Sequence, residues 1–204
     1  MRSSGRLTAV TSLVGSDDTA RALFDVSLLA FAASEVYIRL RSALRRGGDR
    51  LDQGSLVLIV LCLGVGVLLA LGAAAGVRGA TITGWVPVAA GIVMMWVGVA
   101  LRQWAVWTLG RFFTVVVKVR DGQTVVEKGP YRWVRHPSYT GLLLTLVGLG
   151  VALGNWLSIL ALVVFPVIGL VGRIRVEESV LLEGLGEPYR RYAEGRRRIL
   201  PGIW

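Results

Sequence analysis

The chain has 204 residues, of which 54% are hydrophobic and only 18% charged, and its net charge is +10. So high an apolar share excludes an ordinary soluble domain and points to a multi-pass membrane protein. The positive excess lies in loops between apolar runs, which excludes a nucleic-acid-binding surface as its explanation.

In chain order, residues 1–20 contain two arginines but no long apolar stretch beside them. They are expected to form a flexible or surface-lying leader, not a secretory signal. A helix that crosses the hydrocarbon needs about 20 mostly apolar residues. Residues 22–38, 55–77 and 83–101 meet that requirement, so 21–101 is expected to form a three-helix transmembrane scaffold. The first of these spans is the least regular, because Asp25 and Glu35 lie within it. Cys62, the one cysteine, sits in the second span and reads as a small core residue, with no disulfide framework and no metal site. Gly64 and Gly148 lie on glycine-rich faces that allow helices to pack closely.

Between the third and fourth spans, valine-rich flanks around Asp121 and Gly122 predict a small hairpin with a positive-φ turn. The apolar run 138–172 is too long for one span and is divided by Gly154-Asn155, which predicts two helices joined tightly. Beyond it, Glu178, Leu181, Leu182, Leu185, Tyr189 and Tyr192 recur near helical spacing. They predict an amphipathic helix along the membrane face, interrupted at Gly184 and Gly186, with Pro188 in the first turn of a shorter second piece. The expected fold is an all-α membrane protein of about five transmembrane helices, with residues 102–204 as the functional core.

The basic residues orient this model. Nineteen of the 23 lysines and arginines fall in segments 39–50, 102–135 and 173–198, all on one side if five spans are crossed. Positive residues collect on the cytoplasmic side. The N-terminus is therefore expected outside and the C-terminus in the cytoplasm, in the inner membrane of a prokaryote. Anionic lipid is the partner that this charge implies, and nucleic acid is not.

Two polar clusters bracket the long apolar run. The first is Gly129–Gly141, GPYRWVRHPSYTG; the second is Arg173-Ile174-Arg175-Val176-Glu177-Glu178. His136 is the only histidine. Pro137 lacks an amide donor and pushes its predecessor out of the α region, so the fourth helix is expected to begin at or just after it. Arg135, His136 and Tyr139 then gather at a helix N-terminus, whose free amides favour an anion. Taken alone, Glu177 and Glu178 read as a solvated helix start balanced by Arg173 and Arg175. Arg102, flanked by Trp104 and Trp107, reads equally as an interfacial anchor.

These clusters resemble the isoprenylcysteine carboxyl methyltransferase family of integral membrane enzymes, whose pattern is G-x-Y-x-x-x-R-H-P-x-Y-x-G followed by R-x-x-x-E-E. The resemblance spans roughly Leu101 to Pro201. It implies S-adenosylmethionine as cofactor, held by His136, Tyr139, Glu177 and Glu178, with Tyr131 and Arg135 as further members of the set. It also implies that Arg102 faces a substrate carboxylate, and Arg173 can join it in a clamp, since guanidinium matches carboxylate with two donors. The implied activity is methyl transfer to the carboxylate of a lipophilic acceptor. That acceptor is either a prenylated protein terminus or a small lipophilic acid. The sequence departs from the family pattern at Gly195, where a basic residue is usual; Arg196, Arg197 and Arg198 follow, either as a shifted basic role or as a lipid contact. Two other readings stay open at this point: an NADPH-dependent membrane lipid or steroid-type reductase, and a non-catalytic protein of the same fold. No feature of the sequence sets the oligomeric state.

Overall fold

A computed structural model describes residues 18–44, 54–82, 84–115, 119, 122–200 and 204. Six α-helices carry the described fold: α1 Asp18–Leu44, α2 Gly54–Gly76, α3 Trp85–Leu109, α4 Pro137–Ala152, α5 Trp156–Leu185 and α6 Glu187–Glu194. No strand is formed among the described residues, only two isolated bridges, Thr81 with Asn155 and Val134 with Arg197. Three helical segments, Gly54–Gly76, Trp85–Phe112 and Trp156–Leu185, are long and apolar enough to cross a membrane by length and composition. Pro137–Ala152 is apolar but shorter. Large apolar side chains such as Leu29, Leu61, Leu68 and Trp85 are exposed on the outer faces, as expected where lipid, not water, is the solvent.

The α3–α4 pair is the rigid centre, and glycine makes it so. A Cβ built on Gly98 would lie 2.7 Å from the carbonyl of Gly141, and one on Gly148 would lie 2.7 Å from the carbonyl of Gly91. The two antiparallel helices therefore touch backbone to backbone at two levels one heptad apart. Close approach of this kind replaces the hydrophobic driving force that is missing between helices in lipid. One turn beyond Gly98, this contact leaves Arg102 beside Ser138 at the start of α4. Gly148 packs as its sequence context predicts, whereas a Cβ on Gly64 would meet open space; the second glycine face serves no helix contact.

Helix α4 begins at Pro137, with His136 as its N-cap residue. The turn to α5 falls at Gly154 and Asn155, as the break in the apolar run predicts. Gly154 takes a φ of 61°. Asn155 is buried and uses its whole amide: Oδ1 accepts from the amides of Leu157 and Ser158, and Nδ2 donates to the carbonyls of Ala73 and Val77. One side chain thus caps α5 and ties it to the end of α2.

Two expectations need correction. The amphipathic segment is not a separate helix laid on the membrane, since α5 runs unbroken for 30 residues, Trp156–Leu185, about 45 Å at the usual rise. Gly184 does not interrupt it; its bare Cα lets Val119 close in, where a Cβ would meet Val119 Cγ2 at 2.5 Å. The break comes only at Gly186, with a φ of 62°, and Pro188 then sits in the first turn of α6. The hairpin around Asp121 lies largely outside the described residues; among those described, Gly122 has a φ of 66° and 123–127 form neither helix nor strand.

Three polar residues of α1 have partners on α3. Ser27 Oγ accepts from Trp96 Nε1 at 3.0 Å, Ser34 Oγ accepts from Gln103 Nε2, and Glu35 pairs with Arg102. The irregularity of the first span is its interface with α3.

Candidate functional site

A cavity of about 330 Å³ lies among α1, α2, α3, α4 and α5, large enough for a small ligand. Its polar wall includes Glu35, Arg102, Tyr139, Arg173 and Glu177, and its apolar wall includes Ile38, Ile59 and Leu142. Both sequence clusters reach it. Of the eight residues singled out from the sequence, seven line this cavity: Arg102, Tyr131, Arg135, His136, Tyr139, Arg173 and Glu177. Glu178 does not; it stands directly behind the wall.

Glu178 is the organiser of the first cluster. Its Oε1 accepts from Arg135 Nη1 at 2.8 Å and lies 3.2 Å from His136 Nε2. Its Oε2 accepts from Arg198 Nε at 2.9 Å and Nη2 at 2.8 Å. One buried carboxylate thus serves Arg135, His136 and Arg198 together, and it compensates the buried Arg135 guanidinium. The solvated-helix-start reading of Glu178 does not hold, because its side chain is only 8% exposed. Arg135 keeps its Nε buried without a hydrogen-bond partner.

Glu177 takes the other direction. Tyr139 Oη donates to Glu177 Oε2 at 2.7 Å, and the Tyr139 and His136 rings stack with centroids 5.6 Å apart. Adjacent carboxylates on one helix therefore reach two neighbouring residues of the RHPxY element, one at the cavity and one behind it.

The chain end locks this arrangement. The amides of Arg135 and His136 donate to the carbonyls of Arg197 and Arg198, each at 2.8 Å, and Thr140 Oγ1 donates to the carbonyl of Ile199. Tyr192 Oη donates to the carbonyl of Tyr131 at 2.9 Å. Burial pushes the phenols of Tyr131 and Tyr189 well above their ordinary range, and burial pushes that of Tyr192 up to about 12. All three stay protonated at neutral pH, and Tyr192 serves as a donor. The arginine that reaches the site is Arg198, three residues past Gly195 where the family pattern places a basic residue; the sequence left its role open between this and a lipid contact.

Arg102, which lines the same cavity, is 8% exposed and uses four of its N–H donors. Its Nε and Nη2 donate to Glu35 Oε1 and Oε2 at 2.5 and 3.0 Å. Its Nη1 donates to the carbonyl and hydroxyl of Ser138 at 3.1 and 3.0 Å. Arg173, 3% exposed, donates from Nη1 to Ser55 Oγ and from Nη2 to the carbonyl of Val115. Arg102 and Arg173 thus border one cavity, and Arg173 also interacts with Tyr139. Sequence reasoning missed Glu35 and Ser138 as parts of this site. The signal for Glu35 was present as a carboxylate inside an apolar span, which is costly without a partner.

Comparison with known proteins bears on this geometry. Residues 91–183, which contain all eight of the residues named above, match the model of the isoprenylcysteine carboxyl methyltransferase (ICMT) family. That segment is similar to the ICMT family. The chain is 39% identical over 115 residues to protein-S-isoprenylcysteine O-methyltransferase A of Arabidopsis thaliana, covering 55% of this chain and 58% of the relative. It is 38% identical over 115 residues to the B protein of the same plant, covering 55% and 57%. This chain therefore spans about three fifths of the length of the curated relatives it matches. Its fold is similar to the solved structure of the eukaryotic intramembrane Ras methyltransferase ICMT, with a TM-score of 0.64 at 21% identity, over 94% of this chain and 70% of that one. The ICMT likeness thus joins sequence over the second half to fold over nearly the whole chain, and three of its helical segments are long and apolar enough to cross a membrane.

Proposed function

We propose that this protein transfers a methyl group from S-adenosylmethionine to the carboxylate of a lipophilic acceptor at the membrane–cytoplasm boundary. The observation that carries the reading is the shared cavity: Arg135, His136, Tyr139 and Glu177 line it together with Arg102. The relatives named above are isoprenylcysteine O-methyltransferases, which gives the acceptor class.

The donor set suits the cofactor. Glu177 offers an acceptor to amino or hydroxyl groups and favours a nearby positive charge, and Arg135 adds a guanidinium to the same wall. S-adenosylmethionine supplies a methyl group activated by a positively charged sulfur. Everything else falls to the chain. Glu178 fixes Arg135 and His136 from behind, so the cofactor end is set before ligand arrives. His136, held by Glu178, positions the wall and is not needed as a base, because a carboxylic acid with a reference pKa near 4 is already ionised at neutral pH. Arg102 and Arg173 provide the positive field that draws the acceptor carboxylate out of water, and the apolar wall from Ile38 to Leu142 accepts its lipid portion.

The five-span arrangement, with the C-terminus and the basic segments on the cytoplasmic side of a prokaryotic inner membrane, belongs to the same proposal. Reporter fusions after Arg50, Ala80, Arg120 and Trp204 should read inside, outside, inside and inside; a cytoplasmic signal after Ala80 would overturn it. The cofactor is tested by melting detergent-purified protein with S-adenosylmethionine and, separately, NADPH. At 100 times its Kd a ligand stabilises by about 2.7 kcal/mol. We expect the melting temperature to rise with S-adenosylmethionine and stay fixed with NADPH; the reverse would establish the reductase reading.

A further inference from the structure

Glu35 has no place in the mechanism above, yet it holds the group most important to the acceptor. It lies on α1, 67 residues before Arg102 and outside the segment that matches the family model. Its carboxylate takes the Nε/Nη2 edge of Arg102 with both oxygens, while Ser138 takes Nη1. A guanidinium has five N–H donors, and this pairing leaves no complete two-donor edge for a second carboxylate. An acceptor acid therefore cannot be clamped by Arg102 while Glu35 stays in place.

The chain also provides somewhere for Glu35 to go. Arg39 is four residues further along α1, so it shares the face of Glu35. It lines the same cavity and makes no ion pair with a described residue. The side chain of Glu35 is 22% exposed against 10% for Arg102, so the carboxylate is the partner nearer the open space.

We propose that Glu35 is a specificity-determining residue of the acceptor end: a built-in carboxylate that holds Arg102 until an acceptor carboxylate replaces it and Glu35 turns to Arg39. This rests on the acceptor reading given above. The exchange selects for charge. Methylation forms a C–O bond as the donor's C–S bond breaks, the sulfur keeps the electron pair, and no proton is released. The product is a neutral ester, which cannot compete with Glu35 for a guanidinium. Glu35 then retakes Arg102, and the ester loses its hold. The same device keeps Arg102 compensated in the absence of acceptor, when a lone buried guanidinium would be costly.

The test uses N-acetyl-S-farnesylcysteine as the acid and its methyl ester as the neutral control, with detergent-purified full chain. Glu35→Gln should melt below wild type without probe and bind the acid on the order of tenfold more tightly, with ester binding unchanged. Arg39→Gln should weaken acid binding in the wild-type background and have no effect in the Glu35→Gln background, a coupling that general charge attraction would not produce. Acid binding that is equal or weaker in Glu35→Gln, or additive effects of the two substitutions, would overturn the proposal. If Glu35→Gln does not fold, Glu35→Asp, whose shorter reach weakens the paired contact, must show the same direction of change in acid affinity. No acid binding in any of these proteins would overturn it together with the acceptor reading, whereas S-adenosylmethionine stabilisation would stand or fall separately.

Discussion

Arg102→Ala should slow methyl transfer roughly 30- to 1,000-fold in kcat/KM per folded molecule, while the Kd for S-adenosylmethionine stays near that of wild type. The size follows from losing a charge-assisted contact of about 2–4 kcal/mol in the transition state. The separation follows from their contacts: Arg102 bonds to Glu35 and Ser138, whereas Arg135 and His136 are held by Glu178. Arg102→Lys should recover only part of the loss, since a point charge cannot reproduce the two-edged contacts to Glu35 and Ser138. Truncation also strands Glu35, so expression will fall and activity must be normalised to folded protein. Normal specific activity in the folded fraction would reduce Arg102 to an anchor of α1 on α3.

Glu178→Gln should raise the Kd for S-adenosylmethionine roughly 10- to 100-fold, although Glu178 does not line the cavity. Its carboxylate is the common acceptor for Arg135, His136 and Arg198. Replacing it by an amide leaves two guanidinium groups uncompensated and turns an amide donor toward other donors, a change that costs more than one hydrogen bond. Tyr139→Phe removes the hydroxyl contacts to Glu177 and Arg173 and should weaken binding by less, roughly 2- to 10-fold. Calorimetric titration checks both. Equal affinity in Glu178→Gln and wild type would mean that the wall holds without its support, and the assignment of this cluster to the cofactor would be wrong.

The difference between these residues shows what the sequence could and could not convey. Pro137 as a helix start and Gly154-Asn155 as a turn were legible because their causes are local: a missing amide donor, a positive φ and a side chain that caps the next helix. The two polar clusters were legible because ionisable groups beside apolar runs are costly without partners. What the sequence did not convey was which partner each charge would find. Glu35 looked like a flaw in a span until α1 packed on α3 and set it against Arg102. Arg198 lay in a run of three arginines with nothing local to tell them apart; only the pairing of residues 197 and 198 with the RHPxY backbone brings Arg198 to Glu178. Gly184 carried the usual signal of a helix break, yet it stays helical because Val119 fills the space its missing side chain leaves. In each case the deciding contact joins residues far apart in the chain, and local propensity is a weak prior against it.

The central claim is that one cavity holds a methyl donor at the Glu178 end and a lipophilic carboxylate at the Arg102 end. It is tested most directly by incubating purified protein with S-adenosylmethionine labelled in its methyl group and N-acetyl-S-farnesylcysteine, with the corresponding carboxamide as control. We predict label in a base-labile methyl ester of the acid and none in the carboxamide. Protein that binds S-adenosylmethionine tightly but forms no labelled ester from this acid, or from a panel of other lipophilic acids, would contradict the account.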